Sequence, residues 1–148
     1  MGPFDMLNIS ASALTAERQR SEIISTNMAN AETTHTTDGG PFKRKEVVFA
    51  SSSNSSFHLA FSSASSKIGR KAGTVRLSQV VDDPAAPIMR YEPGHPDANT
   101  EGFVAYPAIN PVQEMVDLMG STRAYQLNAS AVSAAKQMIQ QSIDILKA

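Results

Sequence analysis

Both ends of the chain carry the pattern of a long helix, and the middle does not. Residues 4–31 and 111–147 are poor in charge and rich in Ala, Ser, Thr and Asn, with apolar residues at helical spacing. Between them, short Val-rich runs are broken by Pro, Gly and Ser, which is typical of strands. The sequence predicts an α+β fold in which long N- and C-terminal helices pack together as a coiled-coil-like pair, with a small β-rich inserted domain.

The boundaries of these parts follow from local signals. Asn110 is a good N-cap and Pro111 suits the first position of a helix. We therefore expect a helical terminal domain made of residues 1–34 and 108–148, and a β-rich inserted domain of residues 35–107. Strands are expected in the insertion at residues 45–50, 73–81, 88–91 and 102–106, and a flexible Ser-rich loop at about 50–66. Within that stretch, apolar residues on alternate positions at 57–61 are equally compatible with an extra edge strand.

Apolar residues on the two helices predict where subunits would pack. The N-terminal helix carries a broad apolar face that includes Leu7, Leu14, Ile24 and Met28. On the C-terminal helix, a first seam with alternating steps of three and four consists of Met115, Leu118, Thr122, Tyr125, Ala129, Val132, Lys136, Ile139, Ile143 and Leu146. A second seam, on the other side of the helix, consists of Ala124, Leu127, Ala131, Ala134, Met138 and Ile145.

Two opposed apolar seams indicate that the C-terminal helix has partners on both sides, because a surface helix of a monomer needs one stripe. A helix buried at the centre of a bundle would give the same pattern. A chain of 148 residues with this layout offers only one other long helix. We therefore favour packing between subunits of a tubular polymer.

Composition narrows the class of function. The net charge is −1, so no basic excess exists to neutralise the phosphates of a nucleic acid. No cysteine is present for disulfides or thiolate ligands. Apolar runs are too short to span a bilayer, so we expect no direct membrane insertion. The first residues lack the pattern of a cleavable secretory signal.

Few residues suggest catalysis or ligand binding. His95, with Asp97 and Glu101 nearby, could hold a hard metal ion, but the surrounding Pro and Gly residues favour a structural turn. Lys43, Arg44 and Lys45 form a short basic run, which we interpret as a solvated strand edge, with a subunit contact as the alternative. We expect no cofactor and no metal.

The chain resembles bacterial flagellar rod and hook proteins in several segments. The shared N-terminal signature lies at residues 9–18 and 24–34, and narrower similarity to proximal-rod proteins lies at 39–45, 91–98, 101–107, 123–128 and 134–138. The residues that carry these motifs include Asn27, Asn30, Gly39, Gly40, Pro93, Gly94, His95, Pro96, Asp97, Gly102, Tyr106, Arg123, Tyr125 and Asn128.

This resemblance implies a structural protein without enzymatic activity. Such a subunit would polymerise helically with itself and other rod proteins, near basal-body ring and export-apparatus proteins, and would transmit motor torque across the periplasm. Export would proceed without a cleavable signal peptide. One face of the C-terminal helix would meet the N-terminal helix and another would meet neighbouring subunits. Two alternatives remain, which are a secreted coiled-coil binding module and a small metal-dependent hydrolase centred on His95.

Overall fold

The computed structural model describes residues 2–52 and 73–147 and confirms the α+β class. Its helices are α1 (Pro3–Ala29) and α2 (Pro111–Lys147), and its strands are β1 (Lys45–Ser52), β2 (Thr74–Asp82), β3 (Ile88–Tyr91) and β4 (Phe103–Tyr106). Both helices and all four strands coincide with predicted segments to within a few residues. The predicted Ser-rich loop lies almost wholly outside the described residues.

Polar caps fix the starts of both helices. At α2, the side-chain oxygen of Asn110 accepts a hydrogen bond of 3.0 Å from the Val112 amide, and its main-chain oxygen accepts one of 3.1 Å from Glu114. At α1, the Gly2 amide donates to the Asp5 carboxylate at 3.0 Å. The two side-chain bonds satisfy amides that have no partner within the first turn of a helix, and the Glu114 amide makes the first regular main-chain bond of α2.

The strands form two separate two-stranded sheets, β1 with β2 and β3 with β4. In the second sheet the strands are antiparallel, with Ile88 opposite Tyr106 and Tyr91 opposite Phe103. Val104 and Tyr106 on β4 are buried, whereas every residue of β3 is exposed. The β3–β4 sheet therefore buries one side of β4 and presents β3 to the surroundings.

The structure divides into two compact units. Unit 1 comprises Met1–Gln19, Phe49–Ser78 and Thr122–Ala148, and unit 2 comprises Arg20–Val48 and Gln79–Ser121. In unit 1, Ser12 links helix to strand, because its hydroxyl accepts from the Val75 amide at 3.1 Å and donates to the Ile9 carbonyl at 2.7 Å. Each unit contains parts of both helices, so the predicted division at residues 35 and 108 stays a prediction.

In unit 2 the end of α1 lies antiparallel to the start of α2. The Ser21 and Ser121 hydroxyls are 2.9 Å apart, and Asn27 donates a hydrogen bond to Glu114 at 3.1 Å. Residues further along α1 thus lie beside residues nearer the start of α2. A regular coiled-coil geometry along the two helices stays a prediction.

The two α2 residues whose bonds to α1 are given above, Glu114 and Ser121, belong to neither predicted seam. Glu114 and Ser121, which are seven positions apart, have exposed fractions of 1% and 0%. At about 100° per residue, their row runs between the two seams. The seams contain some of the most exposed apolar residues, with Leu127 at 72% and Ile145 at 76%. Packing of a seam against α1 therefore stays a prediction, and the Ser21–Ser121 and Asn27–Glu114 bonds come from polar residues outside both seams.

Candidate functional site

A buried carboxylate near the start of α2 organises the most polar part of unit 2. Glu114 is 1% exposed. One of its oxygens accepts a hydrogen bond from the Arg44 Nε at 2.7 Å, and the other accepts from the Asn27 Nδ2 at 3.1 Å. We call Asn27, Arg44, Glu114 and the main chain of Lys45 the polar junction. It joins α1, β1 and α2 through directional bonds.

Asn27 holds the junction together with a single side-chain amide. Its Oδ1 accepts from the Lys45 amide at 2.9 Å, and its Nδ2 donates to the Lys45 carbonyl at 2.9 Å as well as to Glu114. The Asn27 side chain therefore uses both of its donor hydrogens and its acceptor oxygen. Only a side-chain amide combines two such donors with an acceptor. Asn27 belongs to the N-terminal motif, and the structure gives it this bridging position with an exposed fraction of 1%.

Arg44 brings the positive charge that the buried carboxylate requires. Its side chain is 22% exposed and also approaches Asp83 at 3.8 Å and Asp117 at 3.9 Å, with Glu46 bonded to its Nη1. The interpretation of the basic run as a solvated strand edge is wrong for Arg44. It suits Lys45 better, whose Nζ pairs with Asp82 at 2.9 Å on the exposed surface.

The electrostatics of Arg44 favour its charged form. Partial burial by itself would lower the pKa of the guanidinium, but the hydrogen bond and charge of Glu114, together with Glu46, raise it above its usual value. A buried carboxylate without a cation would carry a large desolvation cost. Arg44 and Glu114 are therefore interdependent, and neither sequence position alone indicates the pairing.

The loop between β3 and β4 contains several of the motif residues and forms a turn around His95. The His95 Nδ1 accepts a hydrogen bond from the Asp97 amide at 3.1 Å, and the Asp97 carboxylate accepts from the Thr34 hydroxyl at 2.6 Å. His95 thus shapes the turn, and Asp97 tethers the loop to Thr34. Across residues 2–52 and 73–147, no three His, Asp or Glu side chains are placed to share a metal ion.

Tyr106 links this loop to the β3–β4 sheet. Its hydroxyl donates to the Glu92 carboxylate at 2.9 Å, which raises the pKa of Tyr106. The Arg90 guanidinium lies 4.4 Å from the centre of the Tyr106 ring. The His95 and Tyr106 rings make an edge contact with their centres 6.4 Å apart. Cation–π and edge contacts of this kind position side chains and stabilise the sheet.

Gly102 closes the same loop in a conformation that a side chain would disturb. Its φ is +82°, and a Cβ atom there would lie 2.9 Å from the Tyr91 ring and 3.2 Å from Pro93. Asn99 completes the turn, because its side-chain oxygen accepts from the amides of Glu101 at 3.0 Å and Phe103 at 2.8 Å. The position requires glycine for both backbone conformation and space.

We expect Gly102→Ala to lower the free energy of unfolding by about 1–3 kcal/mol, since it combines a left-handed backbone with a steric clash. Gly94→Ala is the matched control in the same loop, because Gly94 has no positive φ and a Cβ atom there would meet no other atom within 4 Å. Its cost should stay within about 0.5 kcal/mol. Thermal unfolding of the purified variants measures both, and equal losses would contradict this account.

The other motif residues are spread over the chain rather than gathered in one site. Gly39 and Gly40 have φ values of +86° and +75° in the loop before β1. Asn30 and Asn128 donate to carbonyls one turn earlier, at Thr26 and Ala124, and Arg123 is exposed.

Sequence reasoning missed Arg44 and Glu114 as partners, and the only available signal was an acidic residue in the first turn of α2.

Neither helix, over the described residues, is sufficiently long and apolar to be a candidate for crossing a membrane.

Comparison with known proteins identifies the family. Residues 7–34 match the family described as flagella basal body rod protein, and residues 100–145 match the C-terminal family of the flagellar basal body rod FlgEFG proteins. The chain is 39% identical to the flagellar basal-body rod protein FlgC of Bacillus subtilis, covering 99% of this chain and 100% of that protein.

More distant relatives match over similar lengths. The FlgC protein of Borreliella burgdorferi is 34% identical, with 99% of each chain covered, and that of Escherichia coli O157:H7 is 31% identical, with 98% of each covered. Similarity that extends over whole chains at these identities confirms the resemblance found from the motifs. The chain belongs to the FlgC family of flagellar basal-body rod proteins.

Proposed function

We propose that this protein is a structural subunit of the proximal rod, polymerising helically and transmitting motor torque across the periplasm. Similarity to FlgC proteins over essentially the whole chain is the observation that carries the proposal. The chain is not an enzyme, since its relatives are named as rod proteins. The proposal includes export without a cleavable signal peptide and location in the periplasm-spanning rod of the basal body.

Exposed apolar side chains on α2 support assembly through the helices. Val112 is 70% exposed, Met115 53% and Leu127 72%, although these side chains are large and apolar. Exposed apolar surface of this kind marks interaction sites in soluble proteins. We propose that other copies and other rod proteins cover it, with ring and export-apparatus proteins nearby. The two predicted seams remain the candidate contact surfaces.

A strain that lacks this protein tests the proposal. We expect it to be non-motile and to lack complete rods in electron micrographs of isolated basal bodies, and a plasmid copy should restore both. A cryo-EM map of the complemented basal bodies should contain density for α1 and α2 in the rod. Complete rods in the deletion strain would contradict a rod function and favour the secreted binding module.

A further inference from the structure

The polar junction contains a feature that stability alone does not explain. The hydrogen bonds between α1 and α2 in unit 2 involve small or polar groups, such as the Ser21–Ser121 pair at 2.9 Å. Small side chains make few interlocking contacts, so they discriminate weakly between alternative alignments of two helices. A buried ionic group is costly to desolvate, yet Glu114 is 1% exposed in this contact.

The sequence of α2 offers a second alignment in which small or polar residues would again face α1. Ser121 and Asn128 follow Glu114 at intervals of seven. Sliding α2 along α1 by seven residues, roughly 10 Å, would set Ser121 beside Asn27 and Asn128 beside Ser21. Such a slide would again place small polar groups together. It would also separate Glu114 from its two partners.

We propose that the Glu114–Arg44 pair, aligned by Asn27, is a register lock that selects one alignment of α1 and α2. In the native alignment both carboxylate oxygens are bonded, at 2.7 Å by Arg44 and at 3.1 Å by Asn27. In the slid alignment the Arg44 guanidinium and the Glu114 carboxylate would no longer be in contact. Buried polar groups are known to fix the register of paired helices in this way. Arg44 and Glu114 are thus positioning residues.

Replacing both Arg44 and Glu114 with apolar residues tests the effect of the pair on register separately from its effect on stability. Two matched apolar side chains, as in Arg44→Met with Glu114→Leu, often fold as well as the ion pair that they replace. The double variant should therefore keep its helical circular dichroism but lose its preference for one register. Lys45→Met with Asp82→Leu is the matched control, because it removes the neighbouring exposed ion pair, joined at 2.9 Å, and leaves the junction in place.

Disulfide trapping reads the register directly, since the chain has no cysteine of its own. Ser21→Cys with Ser121→Cys reports the native alignment, and Ser21→Cys with Asn128→Cys reports the slid one. Each pair is placed in the full chain at low concentration, and the cross-linked monomer is measured on non-reducing gels. In the wild-type and control backgrounds, we expect the native pair to exceed the slid pair on the order of a hundredfold. In the double variant that ratio should fall to near unity.

An unchanged ratio in the folded double variant would overturn the register lock. Loss of helical circular dichroism in that variant would also overturn it, because the junction would then hold the fold rather than choose between alignments. The relevance of one register to assembly rests on the proposed function. The cross-link itself is read in the isolated chain, so either idea can fail without the other.

Discussion

Arg44→Leu is expected to lower the free energy of unfolding by about 3–5 kcal/mol, the typical cost of removing one partner from a buried ion pair. The reason is that the carboxylate of Glu114, at 1% exposure, would lose its cation and retain only the Asn27 amide as a partner. Urea denaturation of the purified protein, followed by circular dichroism, measures the loss. The effect should be among the largest of any single substitution in unit 2.

Lys45→Leu is the control for this prediction. Lys45 is the next residue along the chain and also forms an ion pair, but its side chain is 38% exposed and that of Asp82 is 53% exposed. Exposed pairs contribute little, so the loss should be below about 1 kcal/mol. Comparable losses for Arg44→Leu and Lys45→Leu would show that burial of Glu114 does not determine the stability of the junction.

Leu127→Asp and Met115→Asp are expected to abolish rod assembly while leaving the isolated chain folded. Each residue represents one predicted seam, and their exposed fractions of 72% and 53% mean that a charge there is solvated in the single chain. If the seams are buried in a rod, an unpaired charge costs several kcal/mol at every subunit. Electron microscopy of basal bodies measures rod formation, and circular dichroism checks the fold.

Gln126→Asp is the matched control for the seam variants. Gln126 is the exposed neighbour of Leu127, belongs to neither seam, and receives the same charge. It should assemble into normal rods. If Leu127→Asp also assembled normally, the second seam would face solvent in the rod, and the inference of two-sided packing from the apolar pattern would fail.

The helices and strands could be predicted because their signals are local. Asn110 and Pro111 marked the start of α2, and the structure shows Asn110 as its cap. β3 was bounded by Pro87 and Pro93 and has the predicted ends. A cap or a turn depends on a few adjacent residues, so the local sequence is sufficient to predict it.

The polar junction could not be predicted, because its bonds join residues far apart in the chain. Arg44 and Glu114 are separated by 70 positions, and Asn27 and Glu114 by 87. An acidic residue in the first turn of a helix usually complements the helix dipole at the surface, so nothing nearby distinguishes Glu114. Apolar periodicity also could not reveal a helix contact that is made by Glu114 and Ser121.

The bond between Asn27 and Lys45 also affects how the strand β1 meets its surroundings. The amide and carbonyl of one strand residue point to the same side, and at Lys45 both are taken by the Asn27 side chain. The neighbouring Arg44 carbonyl instead accepts from Asp83, at 2.7 Å. Among the described residues, a side chain of α1 thus covers the edge of β1 that faces away from β2 at the first residue of the strand. Uncovered edges can recruit strands from other molecules, and we expect the Asn27 side chain to block such pairing at the first residue of β1.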